Sequence, residues 1–271
     1  MKGRVLIVAG SDSSGGAGIQ ADLKTVTALG AYGASAISAI TVQSTMGVDS
    51  IFPIPANVIA DQMLAVLNDI GADVVKLGML GNSEAVHAVA DVLDRTDNIP
   101  VVIDPVMVAT SGDRLFDPSG THALMTRLIP HATLATPNAE EAAALASMPT
   151  TTADEIKAAA RTILAAGAKA VMVTGGDVPG DIVTDYLITD QEFEVLSAPR
   201  IESTSTHGTG CTFASAVAAG LAQGISLRPA IERARAYVRA AIQSGPGYGK
   251  GQGPLDHSHS IPSFEPKALN D

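Results

Sequence analysis

The sequence is poor in several things, and each shortage excludes something. One cysteine in 271 residues rules out an internal disulfide framework and a multi-cysteine metal site. Tryptophan is absent and aromatics make up 3% of the chain, so there is no platform for stacking bases. Basic residues are outnumbered 17 to 28, giving a net charge of −11, and no basic footprint marks a nucleic-acid surface. No apolar run is long enough to span a bilayer. The N-terminal apolar run, MKGRVLIVAG, stops at Gly10, short for the core of a secretion signal. A soluble, cytoplasmic chain without nucleic-acid or membrane partners is expected. What remains is 46% hydrophobic and 17% charged, enough to bury a sizeable core in one large α/β domain or two small ones.

Short β-branched runs alternate with helical patterns. Strands are expected at Arg4–Ala9, Ala36–Val42, Asp73–Leu77, Val101–Asp104, Thr133–Thr136 and Ala170–Thr174. Helices are expected at Ile19–Leu29, from Pro55 to Asn68, after Asn82, at Thr121–Leu128, after Thr152, and at 209–222 and 229–243. Val183–Ile188 and Phe193–Leu196 read as a hairpin, and the last 25 or so residues as a surface wrap. Such alternation argues for a mostly parallel sheet with helices on both faces. Ligands then lie beyond the carboxyl ends of the strands, which brings the loops after Ala9, Val42, Leu77, Asp104, Thr136 and Thr174 to one edge.

The lone thiol sits in His207-Gly208-Thr209-Gly210-Cys211, ahead of an alanine-rich helix. The first N–H groups of a helix lack intrahelical partners, and Gly208 and Gly210 let a ligand approach them closely. This makes the turn a candidate anion cradle, with Cys211 in the first turn, where thiolate is favoured. The alternative is a buried, inert cysteine behind an ordinary turn. The motif is neither a dinucleotide fingerprint, since Phe213 stands where a third small residue is needed, nor a P-loop, since Gly15 is followed by Gly16-Ala17. Asp104, at a strand end, suits Mg²⁺ or simply starts a turn. Asn138 and Glu141 have helix-capping spacing, or Glu141 orients a Mg²⁺-bound water. Gln43 can read the edge of a heteroaromatic ring, or be a surface glutamine. Met79 and Val106 are candidate apolar walls or plain core. His257 and His259 read as a solvated tail, and Asp177, Asp181 and Asp185 as a solvated loop.

In order along the chain, GSDSSGGAGIQADLKT from Gly10, VQST at 42–45, KLGML at 76–80, DPVM at 104–107, TPNAEEA at 136–142, HGTGC at 207–211 and GQGPLDH at 251–257 resemble the hydroxymethylpyrimidine/phosphomethylpyrimidine kinases, within the ribokinase-like superfamily. The resemblance covers about residues 4–258. It implies a three-layer α/β/α sandwich over 1–258 with a tail at 259–271, working as a homodimer. It implies ATP-dependent phosphorylation of 4-amino-5-hydroxymethyl-2-methylpyrimidine, first to the monophosphate and then to the diphosphate, with ATP and Mg²⁺. The neighbouring expectation is a pyridoxal kinase or a dual-specificity enzyme. Gly208, Thr209, Gly210 and Cys211 match the anion hole and base. Gln43 matches the pyrimidine reader, and Gly10, Asp12, Ala17, Met79 and Val106 match the lining of its pocket. Asp104 and Glu141 match positions near Mg²⁺ and phosphate; Asn138 matches the Asn of the superfamily's N-x-x-E pattern, and with Thr174 and Gly176 it is a candidate on the nucleotide side. Two positions depart from the family pattern: Thr174 stands where a lysine is common, and Ser14 where the first loop often has glycine. The loops at 10–18 and around Thr110–Leu115 are expected to close over substrate.

Overall fold

The structure is a computed structural model that describes residues 1–96, 98–108, 112, 113, 115, 116 and 120–264. Nine strands form one sheet: β1 (Arg4–Asp12), β2 (Tyr32–Ser44), β3 (Gly47–Pro53), β4 (Val74–Leu77), β5 (Val101–Ile103), β6 (Ala132–Ala135), β7 (Ala170–Val173), β8 (Ile182–Thr189) and β9 (Phe193–Pro199). Their order is β3-β2-β1-β4-β5-β6-β7-β8-β9. The six strands from β2 to β7 in that order run parallel, while β3 at one edge and β8 and β9 at the other pair antiparallel. The chain reverses its direction of travel across the sheet at β1, flanked by β2 and β4. Such a switch point opens a crevice at the carboxyl ends of the strands.

Alternation along β1 shows why three layers form. Val5, Ile7 and Ala9 point to one core and Leu6 and Val8 to the other. The first core is closed by α1 (Gly18–Ala28), α7 (Thr209–Ala222) and α8 (Leu227–Gln243). The second is closed by α2 (Ala56–Asp69), α3 (Ser83–Leu93), α4 (Gly120–Ala123) with the π-helical turn Leu124–Leu128, α5 (Ala139–Ala146) and α6 (Ala153–Ala165). Caps fix the starts of several helices. Asn82 accepts from the Ala85 N–H, and Asn138 with Glu141, like Thr152 with Glu155, forms a reciprocal capping box. Among the described residues no helix is long and apolar enough to cross a membrane.

Several expectations need correction. β1 continues through Gly10, Ser11 and Asp12, so the first loop begins later than Gly10. β3 was not expected at all. Asp185 is buried in β8: its Oδ1 accepts the Gly175 N–H at 2.9 Å and its Oδ2 pairs with Arg235 Nε at 2.9 Å. It is part of the frame, not of a solvated loop. Of the loop expected around Thr110–Leu115, residues 110, 111 and 114 lie outside the described residues.

The segment carrying His257 is also packed. Gly253 N–H donates to Thr204 C=O and His207 N–H to Gly253 C=O, so the chain lies against the turn before α7. His257 is buried, with Nε2 3.0 Å from Thr212 Oγ1. Burial pushes its pKa down to about 4, the Lys24 charge adding to the fall. A histidine held neutral in the fold and free to protonate when unfolded makes the unfolded state bind more protons between those two pKa values. Stability contributed at pH 7 is therefore lost as pH falls from about 6.5 to about 4, by about 3 kcal/mol at most. Urea unfolding at pH 7 and pH 4 should show that part of the loss disappearing in His257→Gln.

Candidate functional site

Three loops meet beyond the carboxyl ends of β1, β4 and β5. The first is the turn into α7. Gly208 caps the helix with φ 84° and ψ 18°, a left-handed conformation that favours glycine. Thr212 N–H makes the first helical bond, 2.9 Å to Gly208 C=O, and Thr209 N–H reaches Thr206 C=O only at 3.4 Å. Gly210 and Cys211 lie between, in the first turn, where N–H groups have no intrahelical acceptor. The turn is pressed against the first loop: a Cβ on Gly208 would sit 2.0 Å from Gly16 O. A Cβ on Gly210 would lie 3.9 Å from Asp104 Oδ1, which brings the end of β5 to the same place.

Beneath the turn is a buried charge cluster. Lys76, in β4, is fully buried, and its Nζ lies 3.0 Å from both oxygens of Asp22 on α1 and 3.8 Å from Asp104 Oδ2. Ser215 on α7 donates to Asp22 Oδ1 at 2.7 Å. Burial alone would lower the lysine's pKa, but the carboxylates of Asp22 and Asp104 and the Cys211 sulfur outweigh it and hold it above its ordinary value. Cys211 is buried beside this cluster. Burial pushes its thiol up, Asp104 and Asp22 add to the rise, and Lys76 opposes it. The expectation that the helix end would lower this pKa is overturned: the helix terminus contributes only about 0.3–1 kcal/mol, less than desolvation costs.

The loop after β1 is organised by Asp12. Its Oδ2 accepts from Ser14 Oγ at 2.9 Å, Gly16 N–H at 3.1 Å, Ala17 N–H at 2.8 Å and His207 Nε2 at 2.8 Å. Its Oδ1 accepts from Ser14 N–H at 2.8 Å. Burial would raise the Asp12 pKa, but these hydrogen bonds, led by His207, hold it down to about 2. Asp12 is therefore an ionised acceptor, and His207 Nε2 must carry the hydrogen between them. The 3.4 Å approach of Gln43 Nε2 to that same nitrogen pairs two donors and is not a hydrogen bond. Thr41 Oγ1 lies 3.0 Å from both Ser11 C=O and Gln43 Oε1 and, with one hydrogen, donates to one of them at a time, while the Gln43 NH₂ finds no acceptor at His207. Gly10 lies against Met79, whose Sδ would be 3.3 Å from a Cβ there. Met79 packs with Ala39, Leu115, Val106, Val48 and Ile51.

The third side is the edge of β5 to β7. Glu141 Oε1 accepts from Met107 N–H at 3.2 Å and its Oε2 from Asn138 N–H at 2.9 Å. Asn138 is bridged to Thr174, whose N–H donates to Pro137 C=O at 3.0 Å. Gly176, just beyond, is exposed, with open space where a Cβ would be. Two carboxyls here are held above their ordinary values. Burial and the charge of Asp104 push Glu141 up to about 8, and burial, with Asp22 adding and Lys76 opposing, pushes Asp104 up to about 6. Asp104 Oδ2 is buried without a hydrogen-bond partner. A carboxylate oxygen without a hydrogen-bond partner, beside a second buried carboxyl, fits a hard divalent cation even with Lys76 Nζ 3.8 Å away. Among the described residues no three histidine, cysteine or acidic side chains group as a metal site. Those residues offer at most this carboxylate pair, and phosphate and water would complete the shell, as Mg²⁺ sites commonly do.

The structure thus gathers the turn 208–211, Asp104, Glu141, Asn138 and Thr174 with the first loop and Gln43. It adds Lys76, Asp22 and His207, which sequence reasoning left out of the site. All three lie inside the motifs that carry the resemblance, and Lys76 also stands out as a charge inside the apolar run DVVKL.

A mostly parallel three-layer sandwich with a glycine turn at its sheet edge defines a ribokinase-like kinase fold. The pyridoxal kinase of Staphylococcus aureus, solved in complex with pyridoxal, superposes with a TM-score of 0.88 at 36% identity, over 96% of this chain and 95% of that one. Residues 12–256 match the model of the phosphomethylpyrimidine kinase family, and the chain belongs to that family. The hydroxymethylpyrimidine/phosphomethylpyrimidine kinase of Streptomyces coelicolor is 46% identical over 95% of both chains. The thiamine biosynthesis bifunctional protein ThiED of Geobacter sulfurreducens is 48% identical over 94% of this chain, which spans about half (52%) of that protein.

Proposed function

We propose that this protein transfers the γ-phosphoryl group of ATP to the hydroxymethyl group of 4-amino-5-hydroxymethyl-2-methylpyrimidine, and then a second phosphoryl group to the monophosphate. The observation that carries this is the left-handed Gly208 turn, which stacks first-turn N–H groups over a buried Lys76–Asp22–Asp104 cluster. Phosphoryl transfer asks mainly for positioning and for charge stabilisation where negative charge develops. The Gly210 and Cys211 N–H groups receive that charge, with Thr209 completing the turn. Gln43 presents its NH₂ to the pyrimidine edge. Gly10, Ala17, Met79 and Val106 wall the ring, and Asp12 acts through the loop it ties to His207. Asn138, Thr174 and Gly176 meet the nucleotide. Asp104 and Glu141 would hold Mg²⁺, which supplies charge neutralisation at the phosphates. Cys211 receives the substrate's hydroxyl proton. The kinase unit is residues 1–258, followed by a tail at 259–271, and it works as a homodimer in the cytoplasm.

Incubation with ATP, Mg²⁺ and the pyrimidine, followed by mass spectrometry, should show one and then two added phosphates. No phosphate on the pyrimidine would sink the reading. The likeness to a pyridoxal kinase favours one second reading, turnover of pyridoxal. Direct competition in the same assay decides between them: the pyrimidine should suppress pyridoxal turnover and have the higher kcat/KM.

A further inference from the structure

The segment joining β7 to β8 is held by a residue from outside it. Arg200, just past β9, donates Nε to Gly180 C=O at 2.6 Å, Nη1 to Gly176 C=O at 2.8 Å and Nη2 to Val178 C=O. Its own N–H donates to Asp181 C=O at 2.7 Å. The planar guanidinium is a rigid fork, so three carbonyls on alternate residues are fixed relative to one another. In a trans peptide the C=O of one residue and the N–H of the next point opposite ways. Drawing the Gly176 and Gly180 carbonyls in to Arg200 therefore turns the Asp177 and Asp181 N–H groups away from it. The start of the same loop is pinned separately, by Asp185 on the Gly175 N–H. The Asp177 side chain reaches Asn138 and lies near Glu140, so the loop borders the Asn138–Thr174 edge and is acidic where a polyphosphate would arrive. Arg200 puts a positive charge into that margin.

We propose that Arg200 is a positioning residue for the nucleotide: it keeps the 176–180 loop ready-formed, so that ordering it does not weaken ATP binding. This rests on the reading that Thr174 and Gly176 meet the nucleotide. A loop that must be ordered on binding loses affinity, while the remote pyrimidine contacts are untouched.

The test is calorimetric titration of the whole chain with ADP and, separately, with the hydroxymethylpyrimidine, on wild type, Arg200→Ala, Arg200→Lys and Thr174→Val. Arg200→Ala should weaken ADP by about tenfold or more with the pyrimidine Kd within about twofold. Arg200→Lys should recover only part, because an ammonium cannot span three carbonyls. If Arg200→Ala binds ADP as wild type does while Thr174→Val does not, the role of Arg200 is refuted and the site reading stands. If neither variant affects ADP, the site reading falls and the inference with it. Parallel loss of both ligands, together with a lowered Tm, would show a merely structural arginine and overturn the proposal. Should Arg200→Ala fail to fold, Arg200→Lys carries the same comparison.

Discussion

Gly208→Ala is expected to lower kcat by about 10²–10³-fold, the loss seen when an oxyanion donor is removed. Two separate costs meet at this residue. A side chain at φ 84° is strained by about 1–2 kcal/mol in the left-handed region. The new Cβ would also lie 2.0 Å from Gly16 O, 2.9 Å from Gly16 C and 3.1 Å from Ala17 Cα. All three are main-chain atoms of the first loop, so no flexible side-chain tip can swing aside. Either the turn retreats from the phosphoryl position or the loop held by Asp12 retreats from the pyrimidine. Gly224→Ala separates the two costs. It has φ 82° and nothing within 4 Å of a Cβ, so it carries the backbone strain alone. It should lower stability by about 1–2 kcal/mol and leave kcat unchanged. Steady-state kinetics and thermal unfolding on both variants make the check. A Gly208→Ala enzyme with wild-type kcat would mean that these N–H groups do not touch the transferred group.

The parts of the fold readable from the sequence are those where one physical signal dominates. Leu6–Val8, Val74–Val75 and Val171–Val173 are buried on both sides, so they appear as unbroken apolar runs and mark parallel strands. Asn82 and Thr152 announce their helices because a cap is a local hydrogen bond. β3 (GVDSIFP) escaped because it is an edge strand, with Phe52 and Pro53 exposed and polar residues within it. Its apolar pattern has no second face to satisfy. Of the candidate site, the glycines, Asp104, Asn138 and Glu141 stand out in the sequence, and what packs around them does not. His257 and Asp185 looked solvated because their partners, Thr212 and Arg235, lie 45 and 50 residues away in the chain. Even Cys211, found from its motif, was given the wrong pKa direction. The helix terminus is visible in sequence, but the burial that outweighs it is a property of α1, β4 and β5 packing around the sulfur.

That burial sharpens what Cys211→Ala should do. A thiol raised above its ordinary pKa is protonated at neutral pH, so it cannot by itself be a ready base. Asp104, close to the sulfur and pushed up to about 6 by burial, is largely ionised at pH 7, and Lys76 favours negative charge on either group. On the proposed reading the thiol and carboxylate work as one unit, the sulfur giving its hydrogen towards Asp104 as it takes the one from the substrate hydroxyl. That hydrogen exists only in the first reaction, because in the second the nucleophile is a phosphate oxygen already ionised. Removing the sulfur should therefore slow phosphorylation of the alcohol by about 10²–10⁴-fold, the usual range for general acid–base assistance, and slow phosphorylation of the monophosphate by less than about tenfold. Rapid-quench measurements of each step, from alcohol and from purified monophosphate, read the two losses separately. Equal losses would reduce Cys211 to a packing element of the anion turn, and the proton would then have to leave by another group.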